Sequence, residues 1–141
     1  DRDNWDYIYL REKLAALSGR KYHGQKNHYN AFKKAYPDFV YEPITEENKA
    51  ECLAFGEKWC DDRIDEDPTL ICEKYAMQQA FSNFEALELR GGAIRINGKI
   101  EAFSFGKKIN DDTAVLHVEK ANGAIRGLYT AINKEFASPI F

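Results

Sequence analysis

The chain has no apolar run long enough to cross a bilayer, which excludes a membrane-spanning helix of ordinary length. No signal peptide opens it, so a cytoplasmic location is the expectation. Cysteine is scarce and odd in number. Cys52, Cys60 and Cys72 include no CxxC pair, which argues against a disulfide framework or a zinc ribbon and for buried, reduced thiols. His23, His28 and His117 show no metal-motif spacing with the cysteines, so no metal is expected. There is no P-loop, no Ser–His–Asp order, no internal repeat and no low-complexity segment. The only methionine is Met77, and the missing initiator leads to the expectation of a fragment or processed form of a longer protein. The most local absence is of acid. Gly19 to Pro37 holds Arg20, Lys21, Lys26, Lys33 and Lys34 without one carboxylate, so a net charge of −3 leaves −8 for the rest of the chain. That asymmetry points to an anionic partner for this segment.

What is present suits one domain over residues 1–141: 141 residues, 44% of them apolar, suffice for a single core. Asp6 is placed to cap a helix from Tyr7, in which Tyr7, Leu10, Leu14 and Leu17 recur at helical spacing until Ser18-Gly19. A second helix is predicted from about Arg20 to Tyr36, with Tyr22, Tyr29, Phe32 and Tyr36 on one side and Pro37 as its stop. Phe39 to Ile44 reads as a short edge strand. Thr45 and Asn48 open a third helix that buries Cys52, Leu53, Phe55 and Trp59 and ends near Asp61 to Arg63. The acidic run Asp61 to Pro68 lacks the central Gly and terminal Glu of a calcium loop and reads as a solvated loop. A fourth helix over Leu70 to Leu87 has Tyr75, Met77, Phe81, Phe84 and Leu87 on its apolar side. Ala93–Ile96, Asn97-Gly98 and Lys99–Lys107 form a hairpin signal, and Thr113–Glu119 adds a third strand after Asn110-Asp111-Asp112. The order predicts an α+β fold, with helices packed on a mainly antiparallel sheet.

The chemistry concentrates after that third strand. Thr113–Glu119 alternates, placing Ala114, Leu116 and Val118 on one face and Val115, His117 and Glu119 on the other. A loop with Asn122-Gly123 follows, then a helix with Ile125, Leu128, Tyr129, Ile132 and Phe136 on its apolar side. Backbone amides from Gly123 to Gly127 at such a helix start suit a pyrophosphate or carboxylate, with Arg126 adding charge. The plainer alternative is a turn whose Gly127 lets the helix pack closely. Glu119, nearest the loop, and His117 are candidates for a general base or an acceptor-orienting group; the alternative is a polar sheet face. The basic helix gathers Arg20, Lys21, His23, Lys26, Asn27 and His28 around Tyr22 and Tyr29. It suits tRNA or an anionic lipid headgroup, or else is a solvated rim around core tyrosines.

Four runs carry a resemblance: DYIYLREKLAALSGRKYHGQKNHYNAF at Asp6–Phe32, the strand Tyr41-Glu42-Pro43-Ile44, RGGAIRINGKIEAFSFGKKINDDTAVLHVEKAN at Arg90–Asn122, and GLYTAINKEFA at Gly127–Ala137. Together they resemble bacterial proteins related to the C-terminal domain of phosphatidylglycerol lysyltransferase, most of whose soluble members are uncharacterised. The resemblance implies a GNAT-like acyl-CoA N-acyltransferase fold, here an incomplete unit, since a full one continues with a further strand and helix. It also implies an acyl or aminoacyl transferase. The donor would be an acyl-CoA or an aminoacyl-tRNA, the acceptor an amine or hydroxyl. Asn122, Gly123, Ala124, Ile125, Arg126 and Gly127 match the donor loop. Their glycine spacing departs from the R/Q-x-x-G-x-G/A of acetyl-CoA sites and is nearer to the aminoacyl-tRNA type. The alternative function is a non-catalytic module on the same fold that binds RNA, a lipid headgroup or an anionic metabolite through Arg20 to His28.

Overall fold

A computed structural model describes residues 7–10, 23–111 and 113–140, with the backbone alone at 7–10, 23, 25 and 137–140. The elements run β1 (Tyr7–Leu10), α1 (His23–Ala35), β2 (Val40–Pro43), α2 (Lys49–Asp61), α3 (Leu70–Ser82), β3 (Arg90–Ile96), β4 (Lys99–Asn110), β5 (Thr113–Ala121) and α4 (Leu128–Ile140). The five strands form one sheet in the order β1-β5-β4-β3-β2, and every neighbouring pair is antiparallel. The fold is therefore α+β, as the order of elements predicts.

The hairpin of β3 and β4 closes where expected. Asn97 and Gly98 both have positive φ, at 54° and 82°, the backbone that a two-residue hairpin turn requires. The start of α2 also follows the sequence. Asn48 Oδ1 accepts from the Thr45 amide at 2.8 Å, and Thr45 Oγ1 accepts from the Glu47 amide at 3.2 Å. Asn48 thus reaches back as a Glu or Gln would in a capping box. Its Nδ2 also donates to Glu42 and to the Pro43 carbonyl, tying the helix start to β2.

Two expectations are corrected. Tyr7–Leu10 is a strand paired with Thr113–Leu116, not the first turn of a helix. The aromatic and β-branched run YIYL suits a pleated surface, and the free edge of β5 supplies the pairing that no local periodicity reveals. Leu14, Leu17 and Ser18-Gly19 lie outside the described residues. The fourth helix ends at Ser82, and a turn carries the chain to β3, with Glu88 in a left-handed conformation (φ 57°). Leu87, in that turn, is accordingly exposed, and Tyr75, within the helix, is exposed on its outer side; neither joins the apolar side.

The sheet is covered on both faces. On one, α1 and α4 pack Tyr29, Phe32, Leu128, Ala131 and Ile132 against Ile94, Ile96, Ala102 and Ala121. On the other, α2, α3 and the turn after α3 pack Cys52, Cys60, Met77, Phe81 and Phe84 against Ala93, Phe103 and Phe105. Cys52 and Cys60 are buried and free; burial raises both thiols, Cys52 to about 12, so neither is a nucleophile at neutral pH. Cys72 departs from the expectation and is exposed. No described helix is long and apolar enough to cross a membrane.

Candidate functional site

β5 leads to the site, and a bulge decides what it presents. Phe105 pairs with Val118, but Gly106 pairs with Leu116, so His117 is an extra residue in the ladder. The alternation of sides reverses there. Ala114 and Leu116 pack with Phe136 of α4, while Val118 joins the core under α2 and α3. His117 and Val118 line one pocket on that same side with Ala76, Ala80, Leu89 and Phe105. Glu119 points the other way, toward α4, where it meets Asn133. The expected sharing of one face by His117 and Glu119 is therefore corrected, because a period of two survives only while the ladder has no bulge.

Glu119 occupies an unusual place for a carboxylate. Asn133 Nδ2 donates to its Oε1 at 2.8 Å, whereas Oε2 is buried and has no partner. Burial raises its pKa to about 8, and the Asn133 hydrogen bond and the nearby Lys120 charge only partly oppose this. The residue as a whole is half-buried, while Oε2 itself is covered. Directly opposite in register lies Ser104, fully buried with an unpartnered hydroxyl. Tyr41, Ser104, Asn133 and Glu135 were not singled out by sequence reasoning. Ser104 stands as one hydroxyl within the apolar run Ala102-Phe103-Ser104-Phe105. Asn133 follows Tyr129 by four, on the flank of the apolar stripe of α4. Both breaks in pattern were visible signals. Glu135 accepts from the Tyr29 hydroxyl at 3.3 Å and bears on Tyr41, and burial, then Glu135, raises both tyrosines.

The loop from Asn122 to Gly127 is built largely for its own closure. The Asn122 side chain accepts from the Ala124 amide at 3.0 Å, and its carbonyl accepts from the Ile125 amide at 3.1 Å. Two of the amides expected to hold an anion are thus turned inward. Gly127 has φ +81°, and a Cβ there would run into the His28 carbonyl and Phe32. Its freedom serves a close approach to α1 rather than to the sheet. Arg126 is exposed and donates from Nε to His28 Nδ1 at 3.4 Å. Lys26, Asn27 and His28 are exposed on α1, beside Lys33 and Lys34; Arg20 and Lys21 lie outside the described residues, and His23 is described by its backbone alone. The structure therefore brings the described part of the basic helix to Arg126 and leaves Glu119 to a separate, internal environment.

On the opposite side of β5, Lys120 is buried and paired with Glu73 of α3. Its Nζ lies 4.0 Å from the Trp59 ring centroid, and the Arg63 guanidinium lies at the same distance. Trp59 Nε1 donates to the Ala121 carbonyl at 3.1 Å. The end of β5 is thereby pinned to α2 and α3, just before the loop. A groove of about 450 Å³ opens there between Phe55, Trp59, Arg63, Lys99 and Asn122.

A family model described as "Phosphatidylglycerol lysyltransferase, C-terminal" matches residues 1–141. The chain belongs to that family. Among solved structures it is similar to a conserved protein of unknown function from Bacteroides thetaiotaomicron VPI-5482, with 47% identity and a TM-score of 0.88. The match covers 96% of this chain and 46% of that one, so the chain spans less than half the length of that relative. A comparison with curated proteins returns no match.

Proposed function

We propose that this domain, on a GNAT-like fold, transfers an acyl or aminoacyl group from a CoA thioester or an aminoacyl-tRNA to an amine or hydroxyl, with Glu119 as proton acceptor. The observation that carries the reading is Glu119 itself: a buried carboxyl, raised to about 8, with one oxygen fixed by Asn133 and the other unpartnered. A general base works best with a pKa near the working pH and a free oxygen aimed at the proton it takes. A surface carboxylate has neither property. Asn133 holds the carboxyl plane, and Ser104 lies across from it on β4. The exposed cations of α1 together with Arg126 would meet the anionic part of the donor. His117, on the opposite side of the sheet, is given no part in the proton transfer.

The test is product formation. The protein is incubated with acetyl-CoA or a lysyl-tRNA and with amine or lipid acceptors, and the products are read by mass spectrometry. Glu119→Gln is expected to lower turnover about 10²-fold or more, with Asn133→Ala intermediate. Wild-type turnover in Glu119→Gln, or no transfer from either donor, would overturn the reading.

A second reading has its own observation. Lys26, His28, Lys33, Lys34 and Arg126 are exposed on neighbouring elements, and two loop amides are already consumed by Asn122. On that reading the domain is a binding module for RNA, an anionic lipid headgroup or an anionic metabolite. Salt-sensitive binding that Lys26→Glu with Arg126→Glu abolishes, in the absence of any turnover, would favour it.

A further inference from the structure

The outer side of α3 is unlike that of α1 and α2. α1 exposes Lys26, Lys33 and Lys34, and α2 exposes Glu51, Lys58 and Asp61. The exposed residues of α3 are Ile71, Cys72, Tyr75, Ala76, Gln79 and Ser82, none of them charged, in a chain of which 30% is charged. The two charges of the helix, Glu73 and Lys74, are half-buried and paired with Lys120 and Asp61. Ile71 is 60% exposed and Tyr75 63%, more than any other large apolar residue among the described ones. They stand four apart, on one side of the helix. Exposed apolar side chains grouped on a face without charge mark a surface that binds another surface.

Beside this stripe lies a cavity of about 370 Å³, whose lining includes Ala76 and Ala80 of α3, Leu87 and Leu89 of the turn that follows, and Phe105 and Lys107 of β4. The two alanines are too short to fill it. The helix therefore carries a projection, Tyr75, and a hollow beside Ala80, about 7.5 Å further along its axis. We propose that this face pairs with a second copy of the chain, α3 against α3. Two copies set antiparallel about a two-fold axis at the level of Met77 and Gln78 bring each Tyr75 opposite the other copy's Ala80. The ring then enters the hollow, where Lys107 offers its hydroxyl a polar partner. Ile71 is carried toward the exposed Leu87 of the other copy.

Charge selects this occupant. In a two-fold interface the groups near the axis meet their own kind, so a charged face repels itself. The cations of α1 would face cations, and the acids between Asp61 and Asp67 would face acids. The outer side of α3 has no charge to oppose itself. An anionic membrane surface would be held by cations, and this side of the helix exposes none. The pairing lies on the side of the sheet away from α1 and α4. It covers the pocket that His117 lines and leaves α1, Arg126 and the Glu119 side of the sheet uncovered. It stands independently of the transfer proposed for that side.

Sedimentation velocity of the intact chain over about 1–500 μM reads the association, which is expected in about the micromolar range for one helix pair with its flanks. Tyr75→Ala should weaken the dimer about tenfold or more. The thermal melt of the dilute protein should not change, because Tyr75 is exposed in the single chain. Gln79 is exposed and flanks the axis, so Gln79→Lys and Gln79→Glu should each be monomeric, and an equal mixture of the two should recover a dimer. A chain that stays monomeric throughout, or a dimer indifferent to Tyr75→Ala, would overturn the inference. So would a mixture of the two Gln79 variants that fails to associate, or a monomer that binds neutral phosphatidylcholine vesicles through Tyr75.

Discussion

The two faces of the central sheet are built on opposite terms. Under α2 and α3, Phe103 and Phe105 stack with each other and meet Phe81 edge-on, with ring centroids 5.1 to 6.2 Å apart. Among the described residues the one buried charge there, Lys120, is paired with Glu73. Under α1 and α4, the same strands present Ser104 and Glu119, and four polar atoms go unpaired. Phe103 and Ser104 are consecutive, so one residue separates a satisfied aromatic layer from an unsatisfied polar line. The first arrangement maximises stability. The second gives some up, the usual condition of a site kept ready for a ligand or a proton.

That contrast can be broken from either side. The largest effect is expected at Phe103→Ala, which should cost about 3–5 kcal/mol because it removes a fully buried ring from the aromatic layer; chemical denaturation measures it. Gly127→Ala comes next, at about 2–4 kcal/mol, since it forces a side chain into a left-handed backbone pressed against α1. Glu119→Gln should act through pH. Its carboxyl has an ordinary value of 4.5 and is raised to about 8 in the fold. Between those values the folded protein holds a proton that the unfolded chain has released. The stabilisation is therefore complete below about pH 4.5 and is lost as pH rises through about 8, with a slope of at most about 1.4 kcal/mol per pH unit. Thermal melts from pH 5 to 9 should show this slope in the native protein and a flatter profile in the glutamine variant. A native profile as flat as the variant's would remove the case for a strained carboxyl. The smallest effect is the most telling. Ser104→Ala should be neutral or stabilise by up to about 1 kcal/mol, because it deletes a buried hydroxyl that has no partner. A loss above about 1 kcal/mol would mean that Ser104 has a structural partner after all.

Much of the fold is legible in the residues. Asn97-Gly98 marks its hairpin, Pro37 bounds α1, and Thr45 with Asn48 marks the start of α2, because each signal acts on neighbours a few positions away. The strand at Tyr7–Leu10 is misread as helix because its partner lies more than a hundred residues downstream. The site is half legible. Glu119 stands out as a carboxylate before a glycine loop, and the basic character of α1 is plain from composition. Nothing in the spacing reveals the bulge at His117, and so alternation alone pairs His117 with Glu119, whereas it faces the other layer.

By itself, then, the sequence determined the element types from α1 onward, the antiparallel hairpin, the α+β class and the family, all of which rest on local patterns or on the order of runs. Only the tertiary structure decided which side of the sheet each β5 side chain meets. It also decided that Gly127 serves α1, and that Ser104, Glu119 and Asn133 converge. Those facts depend on ladder register and helix placement, where an inserted residue such as His117 reverses the side met by everything after it.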